Sequence, residues 1–219
     1  MIIGFAGKAA SGKTTAANFL KTMLVGETLV IPMAMVLRDE VEAFLRRIGA
    51  DRHVPLVHGS QEDKVTVFQV DTVRALAACS EWAHFLKEHR DIQDQPGLSA
   101  VTVRRILQWW GTEYRRARDP DYWTKAWGRK AGQYDLSHAH ILVDDVRFMN
   151  ELEVIKATGG LIVKIERPGC LGANNHASET SLDDFAAWDA IVVNAGTLEE
   201  LRAKIGQLAA DLGGSVAAG

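Results

Sequence analysis

The sequence predicts an α/β protein with a three-layer fold. A five-stranded parallel sheet carries helices on both faces, and a helical lobe is inserted between its second and third strands. Three observations predict it. Gly7-Lys8-Ala9-Ala10-Ser11-Gly12-Lys13-Thr14 fits G-x-x-x-x-G-K-[ST], the phosphate-binding P-loop, and places the chain with the P-loop NTPase fold. Short apolar runs alternate with segments of helical period, which implies parallel strands joined by crossover helices. One long stretch of helical spacing breaks that alternation.

The elements follow in order. Met1 to Ala6 is a short apolar run and reads as the first strand. Thr15 to Val25 places Ala16, Phe19, Leu20, Met23 and Leu24 on one helical face. Thr28 to Pro32 reads as a second strand. Met35 to Gly49 carries Val36, Leu37, Val41, Phe44, Leu45 and Ile48 at helical spacing, with Gly49 as a stop. Residues 50–61 read as loop, and 64–90 as mostly helical, with Val73, Leu76, Ala77, Phe85 and Leu86 as core. Asp91 to Gly97 is a break. Thr102 to Arg116 is a further helix. Asp119-Pro120-Asp121 starts another, through Trp123 and Trp127.

His140 to Asp144 is the third strand. Its consecutive Ile141-Leu142-Val143 suits a strand buried on both faces. Asn150 to Thr158 returns as a helix ended by Gly159-Gly160. Leu161 to Glu166 is the fourth strand, and Arg167 to Thr180 a polar loop with Pro168, Gly169 and Gly172. Ala190 to Val193 is the fifth strand. Thr197-Leu198-Glu199-Glu200 reads as a capping box for a last helix to about Leu212, and Gly213-Gly214-Ser215 begins a frayed tail.

Composition narrows the function classes. The 219 residues are 47% hydrophobic and 24% charged, as expected of a soluble globular protein with a substantial core. A net charge of −3 lacks the basic signature of a nucleic-acid binder. No apolar run reaches membrane-spanning length, and the first strand leaves no room for a signal peptide. Cys79 and Cys170 form no C-x-x-C pair, so a reduced, cytoplasmic protein is expected. His138-x-His140 has no third ligand and reads as surface.

The motif carries specific chemistry. Between strand and helix, the backbone N–H groups of Gly7, Ala10, Ser11, Gly12, Lys13, Thr14 and Thr15 can face an anion at the helix N-terminus. Lys13 can reach the β- and γ-phosphates of ATP, and the Thr14 hydroxyl can bind Mg²⁺. Leu142-Val143-Asp144-Asp145 ends an apolar strand in two acids, as the Mg²⁺-holding strand of such proteins does. Asp145 is taken as the metal-side acid, with Asp144 as the fallback; a helix cap is the bland alternative for either. Arg147 follows at the same sheet edge. Arg38, Arg104, Arg105, Arg115, Arg116, Arg118 and Arg167 sit near other loops and helix ends, and an arginine fork suits phosphate. Trp109, Trp110, Trp123 and Trp127 cluster on the lobe, as core or, for one of them, as a base-stacking face.

With these residues in hand, the chain resembles the bacteriophage deoxynucleoside monophosphate kinases. Asp145-Val146-Arg147-Phe148-Met149-Asn150-Glu151, Gly159-Gly160 and Glu166-Arg167-Pro168-Gly169 look like the family's D-V-R-F-x-N-E…G-G…x-E-R-P-G run. His176-Ala177-Ser178-Glu179 looks like its H-x-S-E. Leu107 to Glu113 looks like its L-Q-x-x-G-T-E, and Asp119 to Trp123 like its D-P-D-x-W. The resemblance implies ATP-dependent phosphorylation of deoxynucleoside 5′-monophosphates and does not fix the base; dTMP and dGMP are the expected acceptors. One kinase domain over 1–219 is expected, with 50–130 as a mainly helical acceptor-binding lobe and the polar, Pro- and Gly-bearing 167–180 as a lid-like loop, an ordinary surface loop being the alternative. Leu37, Arg38, Arg104, Arg105, Gly111, Thr112, Trp123, Asp145, Arg147 and Glu151 would line the acceptor site. Lys13, Arg147 and Arg167 would act on the transferring phosphoryl group. Arg38 stands where the family has lysine, and Thr14 where some members have aspartate. Partners are then small-molecule nucleotides, without nucleic acid or membrane, and a homodimer is an allowed assembly. A phage-encoded chain would work in the host cytoplasm. Two other readings share the P-loop: a kinase of another small acceptor, such as a metabolite or dephospho-coenzyme A, and a nucleotide switch or motor. A GTP switch is expected to carry N-K-x-D, which is absent.

Overall fold

The computed structural model describes residues 1–92, 95–170 and 177–212. In chain order the strands and helices are β1 (Ile2–Ala6), α1 (Lys13–Met23), β2 (Glu27–Val30), α2 (Met35–Arg47) and α3 (Pro55–His58). Next come β3 (Val67–Asp71), α4 (Thr72–Ala78), α5 (Trp82–Glu88), β4 (Leu98–Thr102) and α6 (Val103–Trp109). A π-helical segment, Trp110–Arg116, continues α6. Then follow α7 (Tyr122–Ala131), β5 (Ala139–Val146), α8 (Met149–Ala157), β6 (Leu161–Glu166), α9 (Ala177–Thr180), β7 (Ala190–Val193) and α10 (Leu198–Asp211).

The chain forms two compact units, Met1–Ala34 with Thr124–Gly219, and Met35–Trp123. The first holds the predicted sheet. Its five strands are all parallel, in the order β2-β5-β1-β6-β7. Every residue of β1 is buried, and so are Ile141, Leu142 and Val143 of β5, because helices cover both faces. On one face Ile3, Phe5, Leu142, Val163 and Ile165 pack with Ala16, Ala17 and Leu20 of α1 and Leu201 and Ile205 of α10. Thr197 caps α10 as expected, its hydroxyl accepting from Glu200 N at 3.2 Å. The predicted tail from Gly213 lies outside the described residues.

The second unit begins with α2, earlier than the expected residue 50. It is helical except for an antiparallel pair, β3 and β4. That pair corrects the helical reading of residues 64–90. Val67 and Asp71 are exposed while Phe68 and Val70 are buried, the period of two that a half-buried strand requires. The core gathers Phe44, Trp82, Phe85, Trp109, Trp110 and Trp123. Glu40 of α2 accepts from Trp110 Nε1 and Arg115 Nε, both at 2.8 Å, and from the Tyr122 hydroxyl. Trp127 was grouped with these tryptophans from sequence but belongs to the first unit. There it is 2% exposed and donates to Ile31 O at 2.9 Å.

Candidate active site

The P-loop joins β1 to α1, and its backbone explains its glycines. Gly7 and Gly12 sit at φ 137° and 103°, where a side chain is strained. A Cβ on Gly7 would lie 2.3 Å from Ile165 O, and one on Gly12 would lie 2.6 Å from Asn194 Nδ2. Ala10 is left-handed at φ 61°, as a loop that turns its N–H groups inward requires. Asn194, just beyond β7, donates its side-chain amide to Ser11 O at 2.8 Å. Gly12 is the N-cap of α1 and supplies no side chain to its free N–H groups. Those donors and the helix dipole make the turn ready for an anion.

Lys13 is 7% exposed, and its ammonium donates to Gly7 O and Lys8 O, each at 2.7 Å. Burial, and then the nearby Arg147 charge, push its pKa down to about 8, while Glu179, Asp145 and Asp144 oppose that shift. Thr14 Oγ1 donates to Asp144 Oδ2 at 2.7 Å. The other oxygen, Asp144 Oδ1, is buried and carries no hydrogen bond among the described residues.

The adjacent acid does something else. Asp145 Oδ1 accepts from Met33 N at 2.7 Å and Oδ2 from Ala34 N at 3.1 Å, holding the chain after β2. Of the two acids it is therefore Asp144 that meets Thr14, whereas Asp145 braces backbone. Glu151 is buried and caps α8, its Oε2 accepting from Arg147 N at 2.8 Å and Phe148 N at 3.2 Å. That bond also fixes the backbone from which the Arg147 side chain projects.

Arg147 Nη1 pairs with Glu179 Oε1 and donates to Ser178 O at 3.2 Å. Glu179 Oε2 accepts from Ala9 N of the P-loop at 2.9 Å. Burial alone would raise the Glu179 carboxyl, but Arg147, the Ala9 N–H and Lys13 outweigh it and hold the group below the usual range. Lys8 Nζ donates to Glu179 O at 2.6 Å and pairs with Asp183. Arg167 Nη1 reaches Ala10 O at 3.4 Å. A cleft of about 450 Å³ is lined by Gly7, Lys8, Ser11, Arg147, Arg167 and Glu179, among others. The expected 167–180 loop is described at Arg167–Cys170 and from Ala177 onward. Its Gly172 and His176 lie outside the described residues.

The other expected acceptor residues fall in the second unit. Gly111 and Thr112 lie in the π-helical segment, an irregularity common at functional sites. A Cβ on Gly111 would meet Leu37 Cδ2 at 3.1 Å, so these two are neighbours. Arg38 lies on the first turn of α2. Arg104 donates to the Gln61 side chain and backbone, and Arg105 pairs with Asp91 at 2.8 Å. Trp123 corrects an expectation. It is 3% exposed and donates Nε1 to Gly111 O at 2.8 Å, so its ring is core and not a stacking face. Sequence reasoning assigned no role to Glu179 or Asn194. Glu179 stood in view as the acid of the H-x-S-E segment; an asparagine after a strand gives no such signal.

The family model for deoxynucleotide monophosphate kinase matches residues 62–205. A protein of Acanthamoeba polyphaga mimivirus, provisionally named a deoxynucleotide monophosphate kinase, is 28% identical over 216 residues, 94% of each chain. The deoxynucleotide monophosphate kinase of Enterobacteria phage T4 is 29% identical over 106 residues, 48% of this chain and 44% of its own. That of Escherichia phage RB69 is 30% identical over 106 residues, 48% and 43%. The chain thus spans nearly all of the mimivirus protein and under half of each phage enzyme in the matched region. No helix among the described residues is long and apolar enough to cross a membrane. With a P-loop, an acid-ended strand and a match over more than half its length, this chain belongs to the deoxynucleotide monophosphate kinase family and is a nucleotide kinase.

Proposed function

We propose that this chain transfers the γ-phosphoryl group of ATP to deoxynucleoside 5′-monophosphates, with dTMP and dGMP the best acceptors. The observation that carries the reading is the Thr14–Asp144 pair beside the buried Lys13, within a chain of this family. Phosphoryl transfer asks for positioned cations and donors, and little covalent chemistry. The P-loop N–H groups would hold the β-phosphate. Lys13 would leave its two loop carbonyls and neutralise charge on the transferring group. Arg147 would bind the acceptor phosphate and Arg167 the donor side.

The residues present fit a magnesium ion. Thr14 offers a hydroxyl and Asp144 a carboxylate with one buried oxygen that is unpartnered among the described residues, a donor set a hard cation accepts. The ion would neutralise phosphate charge there. Leu37, Arg38, Arg104, Arg105, Gly111 and Thr112 are proposed to line the acceptor side, and 167–180 to exclude water on closing. Phage relatives favour the host cytoplasm as the place of action.

The test is a side-by-side acceptor series of deoxy- and ribonucleoside monophosphates with ATP and Mg²⁺, following ADP. Deoxy acceptors are expected to give the higher kcat/KM. Equal values for matched pairs reject deoxy selectivity. Activity only on a non-nucleotide acceptor replaces the reading.

A further inference from the structure

We infer that Glu179 is a positioning residue for phosphoryl transfer, whose buried carboxylate fixes the Arg147 guanidinium and the first turn of the P-loop relative to each other. The inference rests on the reading of this site as a nucleotide kinase centre. Its two oxygens divide the work: Oε1 takes Arg147 Nη1, and Oε2 takes Ala9 N at 2.9 Å. One carboxylate therefore spans a phosphate-loop amide and the arginine proposed to hold the acceptor phosphate.

The burial is lopsided, and that gives the pair its direction. The Glu179 side chain is 4% exposed and the Arg147 side chain 30%. The carboxylate is enclosed, while the arginine lines the open cleft. Among the described residues Nη1 makes both hydrogen bonds of the guanidinium, to Glu179 and to Ser178 O. A guanidinium has five N–H donors, so the remaining ones are left for a ligand in the cleft. Glu151 holds the Arg147 backbone N at 2.8 Å, so the arginine is gripped at both ends.

The segment that carries Glu179 is itself pinned. Lys8 Nζ donates to Glu179 O at 2.6 Å and pairs with Asp183. Lys8, Ala9 and Arg147 thus all tie to residues 178–183. A mobile arginine would lose much of its binding energy to ordering on each encounter with phosphate, and a fixed one avoids that loss. Glu179 also offsets the charge of Arg147 beside Lys13, so that two cations can share one site before phosphate arrives.

A double-mutant cycle tests this. Glu179→Gln keeps the size and one acceptor oxygen but removes the charge. In the otherwise unchanged enzyme it is expected to lower kcat/KM for the deoxynucleoside monophosphate about tenfold, at saturating ATP. In an Arg147→Ala background the same change is expected to cost less than about twofold, because the group it acts through is gone. Equal factors in both backgrounds overturn the inference, since a merely structural carboxylate lowers both alike. If Glu179→Gln does not fold, the ligand-free wild-type protein decides. A resolved ¹⁵N signal for the Arg147 Nε–H supports a held guanidinium, and one averaged with the surface arginines overturns it. A wild-type chain inert toward every nucleotide defeats the kinase reading itself, whereas an active one with additive losses defeats this inference alone.

Discussion

Thr14 Oγ1 and Asp144 Oδ2 stand 2.7 Å apart, joining the first turn of α1 to the end of β5. The pair brings to one point the two oxygens proposed above to hold Mg²⁺. It also separates Asp144 from Asp145, whose carboxylate is spent on the backbone N–H groups of Met33 and Ala34.

Opposite outcomes are therefore expected for the two neighbouring acids. Asp144→Asn should leave stability nearly unchanged and lower kcat about a hundredfold, with more Mg²⁺ needed for half-maximal rate. Asp145→Asn keeps one acceptor oxygen but loses the charge and sets an amide NH₂ against the second backbone N–H, and should cost about 1–3 kcal/mol of stability. Thermal melts and magnesium titrations of both variants check this. A larger magnesium shift in Asp145→Asn would return the metal role to that residue.

Lys13 should make the reaction fail toward alkaline pH. Its charged form is the useful one, and its pKa in the folded protein is about 8, against an ordinary 10.5. The kcat/KM for ATP, which reports the free enzyme, should fall tenfold per pH unit above about 8. Bound polyphosphate favours the ammonium, so the fall in kcat should begin at higher pH. Stability moves the other way. Between about 8 and 10.5 the unfolded chain keeps a proton that the folded chain has lost, so stability rises with pH through that window. Below about 8 the burial penalty of the charge is carried in full. The thermal midpoint of wild type relative to Lys13→Met should accordingly gain ground across that window. Lys13→Ala should stay folded and lose about a hundredfold or more in turnover.

Trp123→Phe should act on stability and leave base preference alone. The ring is core, and its Nε1 donates to Gly111 O in a buried site. Removing the donor deletes a buried hydrogen bond, at about 1 kcal/mol, and the smaller ring leaves a gap in the core. A urea melt measures the loss. A changed ranking of the four deoxynucleotide acceptors, at unchanged stability, would restore the stacking role.

What was legible in the sequence and what was not divide along physical lines. The P-loop and the sheet were legible because both are local signals: a spaced glycine–lysine motif, and runs such as Ile141-Leu142-Val143 that only a doubly covered strand buries. The β3 strand was missed because five alternating residues sit among helical neighbours, and its partner β4 is distant in sequence. Which of Asp144 and Asp145 meets Thr14 needed the fold. Successive strand residues point to opposite faces, so Asp144 shares the face of Leu142, which packs in the core with α1. No single sequence says which face α1 covers. Trp123 failed as a stacking residue for the same reason, since periodicity does not say which aromatic is outermost. The Glu179 pairings depend on an approach between residues 9, 147 and 179 that spacing does not encode.

Gly12 and Asn194 should be energetically coupled. Gly12→Ala meets two obstacles. Its φ of 103° disfavours any Cβ, and the new methyl would lie 2.6 Å from Asn194 Nδ2. Asn194→Ala removes the amide that donates to Ser11 O at 2.8 Å, a loss of about 1 kcal/mol that also loosens the loop before phosphate binds. The double variant should cost less than the two single losses combined, because deleting the Asn194 side chain leaves room for the methyl. The backbone strain, about 1–3 kcal/mol, should remain, so the double variant stays less stable than Asn194→Ala alone. Chemical denaturation of the four proteins gives the coupling energy, and ATP titrations report whether the loop still binds. Strict additivity would mean that the left-handed backbone accounts for all the Gly12 requirement and that the Asn194 amide moves aside at no cost.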